Sequence, residues 1–345
     1  MKAKNMTIRY RNRSSVPVAQ NMEVGVKKIS IMTACYNEEE NVVPLVAAVK
    51  KVMSEQLPEY DYEHVFIDNC SEDSTLSLLR EICRTDRKVK VIENARNFGH
   101  IRSPFHGLLQ TSGDCTISMA ADFQEPPEMI PAFVRKWEEG FRVVCAVKSK
   151  SKENALMFSL RKLYYRVVKK MSETGSIENF TGFGLYDRKV IEALKLMDDP
   201  YPYFRGLICE IGFKRATVEF VQPKRERGKT HNSFYTLFDM AMLGITSNSK
   251  VPLRLCAMIG FIFSILSFLV AMVYLVLKLC FWDNMPMGMA PVAIGLFFFS
   301  SVQIFLIGLL GEYIAQILTK VTNRPRVIEE ERINFDNGED VRDNE

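Results

Sequence analysis

Two stretches near the C-terminus, Leu255 to Leu277 and Met289 to Leu310, carry no charged residue, and they follow some 250 residues patterned as a soluble α/β protein. They are 23 and 22 residues long. As helices they run roughly 33 to 35 Å, enough for a hydrocarbon core of about 30 Å. A buried helical hairpin is the alternative, but an all-round apolar pair needs a large soluble core around it, and little chain remains to build one. Lys250 and Arg254 precede the first stretch, Lys320, Arg324 and Arg326 follow the second, and the connection around Trp282, Asp283 and Asn284 has neither Lys nor Arg. By the positive-inside rule both ends face the cytoplasm and the short loop faces out. Lys278 can snorkel to the headgroups and Trp282 fits an interfacial anchor. The layout predicts a cytosolic catalytic domain held on the inner or plasma membrane by two spans, with one substrate in the lipid.

The rest of the composition sharpens this picture by exclusion. A net charge of +4 is too weak to point to nucleic acid, and eight cysteines without CxxC or CxxxC pairing indicate neither a zinc site nor a disulfide framework. The first 27 residues are polar and basic (Arg9, Arg11, Arg13), lack the apolar run of a signal peptide, and read as a flexible arm able to touch anionic lipid. The predicted organisation is this arm, a catalytic domain over 28–231, an interfacial helix over 232–251, spans over 252–281 and 287–312, and a cytoplasmic segment with an acidic tail over 313–345.

From Lys28 onward, short β-branched runs alternate with helical stretches. Strands are expected at Ile29 to Ala34, His64 to Asp68, Val89 to Glu93, Cys115 to Met119 and Val143 to Val147. Helices are expected at Glu39 to Met53, Ser74 to Arg84, His106 to Thr111 and Pro127 to Glu139. Such alternation predicts a mostly parallel sheet with right-handed crossovers, whose ligands bind beyond the carboxyl ends of the strands. The conspicuous polar residues fall there: Tyr36, Asn37 and Glu38, then Asp68 and Asn69, then Arg96 and Asn97, then Asp122 and Gln124. Farther on, Arg161 to Met171 reads as an amphipathic helix, Thr217 to Val221 as a late strand, Lys224 to Lys229 as a basic loop and Phe234 to Ile245 as an amphipathic helix in the membrane interface. The acidic tail from Glu329 onward reads as disordered.

Asp68-Asn69-Cys70-Ser71 joins a strand to a helix, so its carboxylate is at hand for a ribose or a base imide, or it forms an Asx turn capping the next helix. In Asp122-Phe123-Gln124-Glu125-Pro126-Pro127-Glu128 a carboxylate and, two residues on, an amide oxygen can hold a hard divalent cation against a diphosphate. A turn and helix start accounts for Pro127 and Glu128 but leaves Asp122 and Gln124 without a task.

Together, Tyr36-Asn37-Glu38-Glu39-Glu40-Asn41, Asp68-Asn69-Cys70-Ser71, Arg96-Asn97-Phe98-Gly99 and Ala121-Asp122-Phe123-Gln124-Glu125-Pro126-Pro127-Glu128 resemble the successive motifs of family-2 glycosyltransferases with the Rossmann-like GT-A fold. The apolar hairpin and Gly308-Leu309-Leu310-Gly311-Glu312-Tyr313 resemble the polyisoprenyl-phosphate branch, which includes undecaprenyl-phosphate glucosyltransferases and dolichyl-phosphate mannose synthase. The resemblance implies a nucleotide-sugar donor bound by Tyr36, Asn37, Glu38, Asp68, Asn69 and Ala121. It also implies Mg2+ or Mn2+ at Asp122 and Gln124, and a polyprenyl phosphate gripped by Lys148, Arg161 and Arg227, with Asp122 at the centre of catalysis. It implies homo-oligomers as well, for which Gly308 and Gly311 permit close helix packing. The expected reaction is a single inverting displacement that needs no strong base, because a lipid monophosphate is already ionised.

Several positions depart from the family pattern. Ala120 stands where the first carboxylate of Asp-x-Asp is usual, Asn69 and Cys70 replace a common Asp-Gly pair, and Thr181-Gly182-Phe183-Gly184-Leu185 stands for Gly-Asp-Phe-Arg-Leu. His100 replaces a Lys or Gln, as a helix-start residue or as a ligand. Two rival readings are kept: transfer to a hydroxyl acceptor, with Glu210 as the candidate base, and a non-catalytic membrane adaptor with a nucleotide-binding fold. No GxGxxG follows the first strand, which argues against a dinucleotide-dependent dehydrogenase.

Overall fold

The computed structural model describes residues 26–149, 177, 179–223, 251–280, 289–322 and 324–335. The expectations for the first 25 residues of the arm over 1–27, the helices at Arg161 to Met171 and Phe234 to Ile245, and the basic loop at Lys224 to Lys229 lie outside these residues.

Eight strands form one sheet: β1 (Lys28–Cys35), β2 (Asp61–Asp68), β3 (Val89–Asn94), β4 (Cys115–Ala120), β5 (Val143–Lys148), β6 (Phe180–Asp187), β7 (Arg215–Phe220) and β8 (Glu329–Ile333). Their order is β7-β5-β6-β4-β1-β2-β3-β8. The central strands are apolar on both faces, as burial on both sides requires: Ile29, Ile31, Val65, Phe66, Ile67 and Ile117 are all fully buried. β1 pairs in parallel with β2 and β4, β2 with β3, and β5 with β7, whereas β6 runs antiparallel to β4 and β5, and β8 to β3. The sheet is therefore mixed, where a mostly parallel one was expected.

Helices cover both faces. α1 (Glu39–Gln56), α2 (Thr75–Thr85) and α4 (Ile130–Glu138) pack Leu45, Leu79 and Phe133 into one core. On the opposite face α3 (Gly99–Leu109), α5 (Arg188–Met197) and α6 (Phe204–Glu210) contribute Phe105, Leu108, Ile191 and Ile208. α3 spans Gly99–Leu109, so it holds His106 as expected and has His100 in its first turn, as a helix-start residue would be.

Far from the strands' carboxyl ends, Glu63 is 2% exposed and accepts bonds from Ser30 and Ser112 while pairing with Lys28 and Lys90. Burial pushes its carboxyl up, but these partners outweigh it and hold the group at about 2.

Two long helices come after the sheet domain, α7 (Val251–Cys280) and α8 (Met289–Val321), with the Phe263 ring 6.1 Å from that of Phe298. Both expose large apolar side chains, among them Phe261, Ile262, Ile304 and Phe305. Such a surface needs an apolar solvent or a partner. Among the described residues one stretch, Phe298–Val321, is by itself long and apolar enough to cross a bilayer.

Up to residue 335 the tail beyond α8 corrects the expectation of disorder, and its last ten residues lie outside those described. Glu329–Ile333 is a strand on the free edge of β3. Glu329 pairs with His106 of α3 and with Arg332, Arg80 bridges Glu93 and Glu331, and Asn334 donates to the carbonyls of Cys83 and Val89. Its acidic residues thus find cations on the domain surface.

Candidate active site

Strand order reverses at β1, which has β2 on one side and β4 on the other, and a cavity of about 640 Å³ opens beyond the carboxyl ends of these strands. This is where a doubly wound sheet leaves a crevice. Ala34, Cys35, Tyr36 and Glu38 line it from β1 and its loop, Asn69 from β2, and Asn97 and His100 from the approach to α3. Ala120, Asp122, Gln124 and Glu125 line it from β4, Thr181 and Gly182 from β6, and Tyr203, Phe204 and Arg205 from the start of α6.

The loop after β4 folds tightly because Phe123 adopts φ 57°, in the left-handed region, and the Gln124 N–H donates to Asp122 Oδ1 at 3.1 Å. Asp122 and Gln124 consequently share the cavity. Glu125 binds this loop to the sheet, accepting from the Ala120 N–H (2.7 Å) at the end of β4 and from the Thr181 hydroxyl (2.9 Å) on β6. Burial pushes its carboxyl up to about 7, with those two bonds opposing the shift. It occupies the neighbourhood of Ala120, the position that lacks a carboxylate of its own.

A neutral network holds the other rim. Asn69 donates to Asn97 Oδ1 (2.8 Å), while its own oxygen accepts from Asn94 (3.0 Å) and from the Phe98 N–H (2.9 Å). Asn94 also donates to Ser103 of α3, so the residue that replaces a common Asp joins β2, β3 and α3 through amides. Asn94 was not singled out from the sequence. Its burial, at 1% exposed, carries no signal in a single chain.

The chain departs from the family pattern again at β6. A Cβ on Gly184 would stand 2.1 Å from the Val144 carbonyl oxygen, so no side chain fits there, and one on Gly182 would meet the Phe204 ring at 3.5 Å.

The comparisons with known proteins agree with this architecture. The description "Glycosyl transferase family 2" matches residues 30–195, and "GtrB C-terminal hairpin" matches residues 251–317. The uncharacterized glycosyltransferase YkcC of Bacillus subtilis is 32% identical over 315 residues, covering 91% of this chain and 97% of that one. The SfII prophage-derived bactoprenol glucosyl transferase of Shigella flexneri is 32% identical over 302 residues, covering 87% and 97%. The chain is a family-2 glycosyltransferase. Among solved structures, glucosyl-3-phosphoglycerate synthase from Mycobacterium tuberculosis with Mn2+, UDP-glucose and phosphoglyceric acid superposes with a TM-score of 0.46 at 18% identity. That match covers 64% of this chain and 78% of the other, and is too loose to transfer any ligand.

Within this glycosyltransferase the expected site residues separate into three groups. Tyr36, Glu38, Asn69, Asp122 and Gln124 line the cavity together. Asn37, Asp68 and Ala121 lie behind it. Asp68 is fully buried and accepts from the Ser71 N–H, the Ser71 hydroxyl and the Cys35 thiol, which is the loop-organising arrangement of an Asx turn. Burial holds its carboxyl above the ordinary value, against those bonds. Asn37 sits at φ 55°, donates its N–H to Ser71 and accepts from the Glu72 N–H. Ala121 is 3% exposed. Lys148 ends β5 outside the lining, near enough for its charge to lower Glu125, while Arg161 and Arg227 fall outside the described residues. Glu210, the candidate base for a hydroxyl acceptor, is exposed at the end of α6 and is not a lining residue.

Proposed function

We propose that this glycosyltransferase moves a sugar from a UDP- or GDP-sugar to the phosphate of a polyprenyl lipid, with inversion, at the cytoplasmic face of a bilayer crossed by α7 and α8. The observation that carries this reading is the attachment of the second apolar helix to the cavity wall. Lys320 pairs with Asp199 at 3.1 Å, and Arg326 pairs with Asp198 at 2.6 Å and donates to the Asp199 carbonyl at 2.8 Å. Asp199 lies just before the lining residues Pro202 to Arg205. A helix of 33 residues is about 50 Å long against a core of about 30 Å, so its last turns stand clear of the lipid and reach the domain. The site then faces the headgroups, where a lipid phosphate is found. The relatives named bactoprenol glucosyl transferase, one of them in Shigella flexneri, support the same acceptor class.

The chemistry follows from the charges. A phosphate oxygen of the acceptor attacks the anomeric carbon, the bond from that carbon to the diphosphate breaks, and the nucleoside diphosphate leaves with the electron pair. The nucleophile is ionised at neutral pH, so no proton has to be removed and no strong base is needed. The work is positioning and charge compensation as two anionic phosphates approach. Tyr36, Glu38 and Asn69 orient the nucleotide from the sheet side, while Lys148, Arg161 and Arg227 hold the acceptor. Glu210 is not among the described lining residues, so it is not placed to act as base for a hydroxyl acceptor.

Asp122 and Gln124 fit Mg2+ or Mn2+, since a carboxylate and an amide oxygen held two residues apart are hard donors. Among the described residues no group of three or more His, Cys, Asp or Glu stands close enough to hold a metal ion by itself. When bound, such an ion offsets the charge of the leaving group.

Mass spectrometry of products formed by purified protein from polyprenyl phosphate and a panel of nucleotide sugars tests the reading. A polyprenyl-phosphate sugar is expected. Glycosylation of a neutral glycolipid alone would overturn it. Labelling, from outside intact cells, of a cysteine introduced at Asn284 between the two apolar helices tests the two-span topology, and labelling only from the cytoplasm would refute it.

A further inference from the structure

We infer that Arg205 is a binding residue for the acceptor's phosphate, an inference that rests on the polyprenyl-phosphate reading above. Three observations lead there. The first is charge. Glu38, Asp122 and Glu125 give the described cavity lining three carboxylates, and Arg205 is the one Arg or Lys among the described lining residues. Within that described lining Arg205 is the one group with a permanent positive charge, and so the one to which a phosphate is drawn by charge.

The second observation is that Arg205 is half-buried, and among the described residues it has no carboxylate partner. A guanidinium at a cavity edge presents the fork of donors that phosphate oxygens accept.

The third is mounting. Arg205 follows Phe204, whose ring packs at 5.2 Å against Tyr186 and at 6.1 Å against Phe105. Phe105 in turn lies under Arg326, 5.6 Å from guanidinium carbon to ring centroid. Lys320 and Arg326, emerging from α8, hold Asp198 and Asp199 at the start of the same segment. The wall that presents Arg205 is thus fastened to the helix that leaves the lipid, and Asp122 and Gln124 stand on the loop after β4. Donor and acceptor phosphates would meet between them. This geometry favours the lipid phosphate over the donor diphosphate as the partner of Arg205.

The test uses the full-length protein in lipid nanodiscs, with R205Q and R205K, titrating polyprenyl phosphate and nucleotide sugar in turn. R205Q is expected to raise KM for the polyprenyl phosphate about 10- to 100-fold, the usual weight of a charge-assisted hydrogen bond, and R205K is expected to raise it less. KM for the donor and direct binding of the nucleoside diphosphate stay at wild-type values, which also certifies the fold. If R205Q does not accumulate as folded protein, R205K is read by the same two constants. An unchanged acceptor KM overturns the assignment, and a rise in donor KM instead gives Arg205 to the diphosphate. A wild-type enzyme that transfers to no polyprenyl phosphate removes this inference together with the acceptor reading, and is recognised before any variant is measured.

Discussion

The Gln124 N–H donates to Asp122 Oδ1 across Phe123, so the two residues proposed to hold a cation owe their shared orientation to one left-handed residue between them. D122A removes both the carboxylate and the acceptor of that bond. It is expected to lower kcat by about 100- to 1000-fold, as the loss of a charge-stabilising group does, with unchanged membrane insertion and unfolding midpoint. Binding of Mn2+ in the presence of nucleoside diphosphate, followed by electron paramagnetic resonance, weakens in parallel. Retained turnover would remove Asp122 from the chemistry.

Truncation of residues 329–345 strips β8 from the edge of β3 and leaves His106 without Glu329. The expected result is a fall of about 5 to 10 °C in the unfolding midpoint of the catalytic domain, and increased self-association through the bared edge. Differential scanning fluorimetry and light scattering measure the two effects. An unchanged midpoint would show that the strand is ornamental.

Glu63 sets a pH dependence remote from the cavity. Its folded value of about 2 lies below the ordinary 4.5, so its stabilisation is present above about 4.5 and is lost as pH falls from there toward 2. E63Q is expected to cost about 2 to 3 kcal/mol at neutral pH, because Lys28 and Lys90 lose their counter-charge, and to flatten the acid limb of stability. Denaturant melts across pH 2 to 7 compare the two proteins; identical acid limbs would refute the assignment.

Gly184 leaves no room for a side chain against the Val144 carbonyl. G184A is expected to destabilise the domain by about 2 to 3 kcal/mol through forced separation of β5 and β6. At Gly182 the nearest atom, on the Phe204 ring, would be at ordinary contact distance, so G182A carries the strain of a φ of 110° without a clash and is the milder variant. Urea melts of the pair rank them, and the reverse order would contradict the packing described.

What the sequence disclosed and what it withheld divide along physical lines. β1 to β5 were legible because their buried faces demand unbroken β-branched runs between helix signals. β6 was recognised only as a motif: its Gly182 and Gly184 break any pattern, yet Gly184 is what lets it lie against β5. β8 escaped notice because Glu329, Glu330 and Glu331 look like a solvated tail until Arg80, His106 and Arg332 are seen beside them. In the site, Tyr36, Glu38, Asn69, Asp122 and Gln124 follow strand ends and were found that way. Asp68 sits at an equally promising strand end but is spent on Ser71. Nothing in spacing separates a carboxylate that faces a cavity from one that closes its own turn. Arg205 went unremarked as a ligand because it is brought to the lining by packing of Phe204 rather than by any strand end.

The last strand of the sheet is encoded after both apolar helices, and this fixes an order of events during synthesis. While a ribosome is still making α7 and α8, the edge of β3 has no neighbour, and Lys320 and Arg326 are not yet available to hold the segment before α6. The sheet can therefore be completed only after both apolar helices have been made, so the wall before α6 gains its clamp from the last part of the chain to be synthesised.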